Sequence, residues 1–343
     1  MSLIFITIIL ILSIHFINKL IFETNRLSNY KGYKHQKFIG SKNVPLSGGF
    51  YLVSSCVILF YLSNYNHLLS IFLFLIFIVG FSSDINLLSS PKLRLLIQAI
   101  IVIFFIVLLD VKVNQTKIYL LDLFLENIYF KYFFSIFCFL ILINGSNFID
   151  GLNGLLLGYF IGITLIIFYL NIYLILEIEK NLIISLLTIL MSLFFLNIKN
   201  KLFMGDGGAY ILGLLFGYFL VKTYEVSPFF SPFFIVHLLW YPCFENLFSI
   251  LRKFSLKRSP TNADNNHLHQ LIFFYFKKKL DFDNFKINNI SSFTIISYNL
   301  LIFSIGLINP GSSKFQIMLI LFNIIIYLLV YFKLFNFRYK IKF

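Results

Sequence analysis

Charge is scarce in this chain: of 343 residues only 12% are charged, with 14 acidic against 28 basic. Soluble domains carry about a quarter charged residues, so a water-facing shell of ordinary composition is excluded. Cysteine is also rare. Cys56, Cys138 and Cys243 lie in or beside apolar stretches at no metal-like spacing, which argues against a disulfide framework or a thiolate metal site. No Pro/Gly/Ser-rich linker is long enough to separate domains, and no inverted internal repeat of the transporter kind is present.

Apolar sequence fills the space. Hydrophobic residues make up 59% of the chain, and the mean hydropathy is +0.89. A hydrocarbon core of roughly 30 Å takes about 20 helical residues to cross. Runs of that kind predict an all-α polytopic protein with eleven spans near 1–22, 46–63, 67–82, 93–110, 128–146, 152–170, 181–197, 205–222, 228–250, 289–308 and 316–334. The first run lacks a basic leader and a small-residue cleavage site, so it is read as a helix that is retained. One helical domain over 1–343 is expected, with a polar core region over about 40–270 and a cytoplasmic loop over about 252–289. A short amphipathic helix is expected in that loop around Leu268–Leu280.

Alternate loops differ sharply in basic residues. All but six of the Lys and Arg residues fall in the loops after spans 1, 3, 5, 7 and 9 and in the C-terminal tail. The six are Lys112, Lys117, Lys131, Lys180, Lys222 and Lys314. The positive-inside rule then predicts a cytoplasmic C-terminus and an N-terminus outside. The net charge of +14 is accounted for by topology and by attraction to anionic lipid, with no nucleic-acid partner needed.

The polar, Gly-containing loops all fall on the predicted cytoplasmic side. They are Ser83-Asp84 through Arg94, with Gln98 beyond; Asn144 to Leu155; Lys201 to Tyr210; and Ser259 to His269. A carboxylate at a membrane edge is costly without a cation, a nest of N–H groups or a wet cavity. Asp84, Asp150 and Asp206 are therefore candidate catalytic carboxylates, and Asp206 with Asp84 candidate ligands of Mg²⁺, which takes one or two carboxylates and completes its shell with phosphates and water. Gly205, Gly207 and Gly208 would let N–H groups meet an oxyanion at a helix N-terminus. Asn144, Asn147, Asp150 and Gly154 recur at three- and four-residue spacing, one stripe of a helix suited to a base, a sugar or metal-bound water. His267 and His269, two residues apart, are placed in a loop from which both rings reach a phosphate or leaving group. Each motif alone has a plainer reading: a solvated loop carboxylate, interhelical glue, a headgroup contact. Their occurrence on one face favours phosphate chemistry.

In this order, the four loops resemble the polyprenyl-phosphate N-acetylhexosamine-1-phosphate transferase family, over roughly residues 40–270. The eleven-span, N-outside arrangement is similar to its eleven-span members. The resemblance implies transfer of a sugar-1-phosphate from a UDP-sugar to a polyprenyl phosphate with release of UMP, using Mg²⁺ with Mn²⁺ as a substitute. It further implies a multi-pass protein of the bacterial cytoplasmic membrane with its active site on the inner face, serving cell-wall or lipopolysaccharide assembly, and leaves room for a homodimer. The acidic pair of the family falls on Ser83-Asp84, so its first Asp is missing. Asn153 stands where a second acidic residue is usual, and Gln270 where a further His is common. Asp206 matches the family's metal ligand. Asp264, His267 and His269 match its His motif, and Pro242 and Glu245 stand where the family tends to show Pro and Asp. Val44-Pro45-Leu46-Ser47-Gly48-Gly49 is similar to its Pro-x-x-Gly-Gly.

The roles expected from this are catalysis by Asp84, Asp150, Asp206 and His267, and substrate binding by Asn144, Asn147, Asn153, Gly205, Arg252, Asp264, His267 and His269. An acidic residue at position 83 has been credited with deprotonating the lipid phosphate. A phosphate monoester has its second pKa near 6, so at neutral pH it is mostly the dianion and needs no base. Activity is therefore expected despite Ser83. Two rival readings are a non-catalytic scaffold in glycan assembly, which the lost carboxylates would suit, and a transporter, which would show broken spans and mid-membrane charge.

Overall fold

A computed structural model describes residues 3–24, 44–174, 179–227, 229–257 and 265–339. Asp264, expected to bind substrate, lies outside them. The described elements are α1 (Leu3–Glu23), α2 (Gly48–Leu62), α3 (His67–Asp84), α4 (Pro91–Leu109), α5 (Tyr119–Leu125), α6 (Ile128–Ile149) and α7 (Leu155–Leu174). They continue with α8 (Lys180–Ile198), α9 (Gly205–Val226), α10 (Pro232–Leu238), α11 (Trp240–Ser255), α12 (Leu268–Lys279), α13 (Asn284–Gly306) and α14 (Ser313–Tyr339).

Eight of these, α1, α3, α4, α6, α8, α9, α13 and α14, are long and apolar enough to cross a bilayer, and α10 with α11 form a bent ninth candidate. The protein is a polytopic helical membrane protein. α2 and the described part of α7 are apolar but shorter than a full crossing, although each coincides with an expected span. Helix starts follow local chemistry. Asn66 accepts from the Leu69 N–H, and Ser90 from the Leu93 N–H with Pro91 at the first helical position. The seven-residue α5 was not expected from the sequence. It is pinned where Asp122 Oδ1 accepts from the Thr116 N–H and hydroxyl, each at 2.7 Å.

α9 is the central helix. In its most apolar stretch 72% of residues are buried, against 17% for α1, and it packs on α2, α3 and α6. Glycines allow the approach. A Cβ on Gly80 would lie 2.4 Å from the Gly207 backbone, and one on Gly49 would lie 2.6 Å from the Gly208 nitrogen. Backbone atoms cannot swing aside as a side-chain tip does, so Gly80→Ala is expected to separate α3 from α9. A loss of about 1–3 kcal/mol, as for other overpacked cores, should appear as a lower thermal midpoint in detergent.

The expected span over 228–250 is broken: α10 and α11 meet at 74°. Pro242 has no N–H and its ring excludes the carbonyl four residues back, that of Leu238. That carbonyl accepts from the buried Tyr159 hydroxyl at 2.7 Å. After the bend α11 turns Glu245, Asn246, Ser249 and Lys253 inward, while Leu247, Leu251 and Phe254 stay exposed. A break of the kind the transporter reading requires is thus present among the described residues. The buried carboxylate beside it, Glu245, is hydrogen-bonded to the His267 loop.

Candidate functional site

The start of α9 is built by three chain segments. The Pro45–Gly49 stretch seats it: Phe203 N–H donates to the Pro45 carbonyl at 2.9 Å, and the N–H groups of Gly48 and Gly49 donate to Phe203 and Met204 at 3.0 and 3.2 Å. Gly205 adopts φ +68°, and a Cβ there would lie 2.5 Å from Asp84 Oδ2. Asp84, the last residue of α3, accepts from the N–H of Asp206 at 3.0 Å through Oδ1 and from that of Gly207 at 3.2 Å through Oδ2. A carboxylate at a helix N-terminus satisfies orphan donors and meets the positive end of the dipole.

This corrects one expectation. Of the N–H groups expected to receive a substrate oxyanion, that of Gly207 already donates to Asp84 and that of Gly208 to the Met204 carbonyl. Gly205 supplies a left-handed backbone and a space that a Cβ would take from Asp84.

Asp84 aims the next residue of α9. Asp206 Oδ2 accepts from the Ser83 hydroxyl at 2.7 Å and from Arg94 Nη1 at 2.8 Å, and Arg94 also donates to Ser83 Oγ. The Arg94 and Asp206 side chains are each only 24% exposed. The position that lost its carboxylate therefore carries a hydroxyl inside an Arg–Asp pair. Arg94 is the residue the sequence reading passed over. The signal was the basic residue closing the Ser83–Arg94 loop, but nothing in the sequence pairs it with a residue 112 positions away.

Asp150 caps α6, half-buried. Its carboxyl is held well above the ordinary carboxylate range, first by removal from water and then by the charges of Asp84 and Asp206. Three carboxylates facing one another favour a cation among them. Among the described residues no group of three His, Cys, Asp or Glu side chains could hold a metal by themselves, so a protein-only cage is absent. Mg²⁺ does not need one. The hydrogen bonds of Asp206 fall on Oδ2, which leaves Oδ1 for a shared ion, and the donor set fits a hard divalent cation whose shell is completed from outside the protein.

The sign of the Asp150 shift gives a prediction. A carboxyl whose folded value is raised contributes stability in its protonated form, and that contribution is lost as pH rises through the folded value. At neutral pH and above, Asp150→Asn should raise the thermal midpoint of the metal-free protein by about 2 °C or more. The gain should shrink as pH is lowered below the ordinary carboxylate range, and scanning fluorimetry across pH checks both.

The second wall comes from the turn after α6 and the His loop. A Cβ on Gly151 would lie 2.2 Å from His269 Nε2, so this glycine lets the histidine reach the Asp150 turn. The Phe148 ring lies 5.1 Å from that of His267, and the two histidine rings stack at 5.7 Å with 12° between planes. His267 is the extended residue before α12 (φ −74°, ψ 149°), whereas His269 lies in the first turn of that helix rather than in the loop expected for both. The loop placement is corrected accordingly, and α12 confirms the expected short helix.

The binding residues inferred from the sequence divide. Asn144 donates to Gln98 Oε1 at 3.0 Å and to the Leu140 carbonyl at 2.9 Å, and Asn147 to the Tyr210 hydroxyl at 3.5 Å. Both link α6 to its neighbours on the site side. The expected continuous stripe ends at Ile149, because Asp150 caps the helix and Gly154 takes φ +77°. Asn153 is 2% exposed and belongs to a latch. Its N–H donates to Asn288 at 2.8 Å, its amide donates to Asn200, and the next N–H donates to Asn197. The role expected for it in the site is therefore reassigned to structure. Arg252 is likewise committed, through Nη1 to the Asn266 carbonyl at 2.8 Å and the Tyr331 hydroxyl at 3.0 Å and through Nη2 to Ser249 at 3.3 Å. It clamps the His loop to α14. Its neighbour Lys253, buried and 5.8 Å over the Phe148 ring, is the α11 cation on the site side.

Against this geometry, residues 66–224 match the model of Glycosyl transferase family 4. Two curated relatives are undecaprenyl-phosphate alpha-N-acetylglucosaminyl 1-phosphate transferases. That of Thermotoga maritima is 26% identical over 199 residues, 57% of this chain and 58% of the relative. That of Salmonella typhi is 26% identical over 248 residues, 67% of this chain and 65% of the relative. The match thus spans about six-tenths of the length of these relatives.

Proposed function

We propose that the chain belongs to glycosyl transferase family 4, whose model its residues 66–224 match, and that it transfers a sugar-1-phosphate from a UDP-linked N-acetylhexosamine to a polyprenyl phosphate, releasing UMP. The observation that carries this reading is the convergence of Asp84, Asp150 and Asp206 with Arg94 on one face that also presents His267 and His269. A diphosphate needs such a mixture of cation-binding carboxylates and fixed positive charge. The reading includes eleven spans, with α2, α7 and the bent α10–α11 pair each crossing once, an N-terminus outside, and a site at the cytoplasmic face of a bacterial inner membrane.

In the proposed reaction an oxygen of the lipid phosphate attacks the β-phosphorus of the UDP-sugar. The bond from that phosphorus to the bridging oxygen breaks, and the electron pair leaves with UMP. Mg²⁺ held by Asp206, with Asp84 and Asp150 beside it, would neutralise charge on the diphosphate when bound. Arg94 orients the Asp206 carboxylate and adds positive charge at the site. Asp84 fixes the first turn of α9 and so the direction in which Asp206 points. Lys253, His267 and His269 offer donors to the phosphate or the sugar, and Asn144 and Asn147 tie α6 to its neighbours beside them.

The test is UMP release by detergent-purified protein with Mg²⁺, a short polyprenyl phosphate and a panel of UDP-N-acetylhexosamines. Release with one donor, abolished by chelator, supports the reading. Folded protein that releases no UMP with any donor overturns it in favour of the scaffold, the reading that Ser83 and the structural Asn153 favour.

A further inference from the structure

The stretch that leads into α9 is held at every carbonyl from Lys201 to Met204. Those of Phe203 and Met204 accept from the N–H groups of Gly48 and Gly49. That of Leu202 accepts from the Asn197 side chain of α8 at 2.7 Å, and that of Lys201 from Asn18 Nδ2 of α1 at 2.9 Å. Asn18 also accepts, through Oδ1, from the Ser47 hydroxyl at 3.0 Å. One amide therefore joins the residue before Gly48 to the residue before Leu202, closing the seat of α9 from the side of α1. That helix otherwise exposes most of its apolar side chains, and its buried residues are Thr7, Ile14 and Asn18. Lipid tails are as apolar as its leucines and isoleucines, so apolar contact alone gives α1 little reason to dock in one place. A buried amide that uses both its donor and its acceptor gives one.

We propose that Asn18 is a positioning residue: by joining Ser47 to Lys201 it fixes where the first turn of α9 begins, and with it the Asp206 carboxylate. The role of Asp206 in transfer rests on the transferase reading, whereas the link from α1 to that turn does not. Asn18 precedes the segment that matches the family model, residues 66–224, so the site draws on a helix outside it. The path from Asn18 to Asp206 is short and made of backbone. Ser47 adjoins Gly48, whose N–H is bonded to the Phe203 carbonyl, and Lys201 runs through Leu202 to the same residue. Two residues further, Gly205 takes φ +68° and sets the direction in which Asp206 leaves. Without the amide both edges of the seat are free to slide, and a misplacement of about 1 Å at a reacting group can cost about 10²-fold in rate.

Amide hydrogen exchange of the detergent-purified protein tests the link without substrate or metal. Asn18→Leu is close in size and deletes both hydrogen bonds. In it the Gly48, Gly49 and Phe203 amides should exchange about tenfold faster or more, while those of α13 and α14 keep their rates. Ser47→Ala removes one of the two bonds and is the milder change should the α1 variant misfold; it should speed the same amides by a smaller factor. In turnover, Asn18→Leu should lower kcat about tenfold while KM for the UDP-sugar changes less than about threefold. Ile14→Ala is the control. It loosens the same buried face of α1 one turn away and leaves both bonds in place, so it should lower the thermal midpoint with kcat and those exchange rates unchanged. Equal acceleration in Ile14→Ala and Asn18→Leu would overturn the proposal, because the docking of α1 alone predicts that pattern. Unchanged exchange in both Asn18→Leu and Ser47→Ala would overturn it as well. The predicted exchange pattern in a protein that releases no UMP would instead sink the transferase reading and leave the link from α1 to α9 standing.

Discussion

Replacing Asp206 with Asn should lower sugar-1-phosphate transfer by about 10³-fold or more while leaving the protein in the membrane at normal yield. The two effects separate because of how the residue is held. The Asp206 backbone N–H, which seats the first turn of α9, stays bound to Asp84 in the variant. Only the carboxylate charge is lost, along with the oxygen left for a cation. Asn still offers an oxygen to Ser83 and Arg94, so the helix start and its neighbours need not move. UMP release, paired with ¹H or fluorescence titration of Mn²⁺ as the probe metal, checks the assignment. Retained turnover, or unchanged Mn²⁺ affinity, would remove Asp206 from the metal role.

The second large effect is expected at Arg94. In Arg94→Ala, Asp206 and Ser83 lose the guanidinium that donates to both, and three carboxylates face one another with less compensation. Transfer should fall by about 10²-fold. Arg94→Lys should recover only part, since an ammonium is a point charge without the planar fork that reaches Ser83 and Asp206 together. Metal affinity discriminates this from general disruption. Freed of its guanidinium, Asp206 should bind Mn²⁺ more tightly even as turnover drops, and a misfolded site would bind it less. Ser83→Asp is the companion test. A carboxylate at position 83 would compete with Asp206 for Arg94, so the effect of Arg94→Ala should be larger in that background.

How far the sequence reached depended on the range of the physics involved. Apolar runs are local and long, and the bilayer rewards nothing else, so every expected span has a helix over it. The α10–α11 bend also had a local sign in Pro242, but a proline bends a span only where the freed carbonyl finds a donor, here Tyr159 from α7. Residue chemistry at the polar helix ends was legible as a set: Asp84, Asp150, Asp206, His267 and His269 do gather. Their division of labour was not. Asn153 and Arg252 looked like ligand contacts because amides and guanidiniums serve structure and binding equally well, and only their partners, Asn197, Asn200 and Asn288 for one and Asn266 and Tyr331 for the other, decide between the two. Arg94 was missed for the opposite reason. Its meaning lies entirely in a contact made across the fold.

The grip of α14 on the His loop reaches to the last described turn. Arg338 donates to the Asn265 carbonyl and, at 3.3 Å, to Asn266 Oδ1, which also accepts from the Tyr339 hydroxyl at 2.7 Å. With Arg252 on the Asn266 carbonyl, these two asparagines are held from both sides just before His267. Trimming the chain ahead of Arg338, or crowding this turn with a bulky reporter, would slacken the segment that delivers the histidines. Anyone tagging this protein for purification or imaging should therefore expect the choice of end to affect the assay itself.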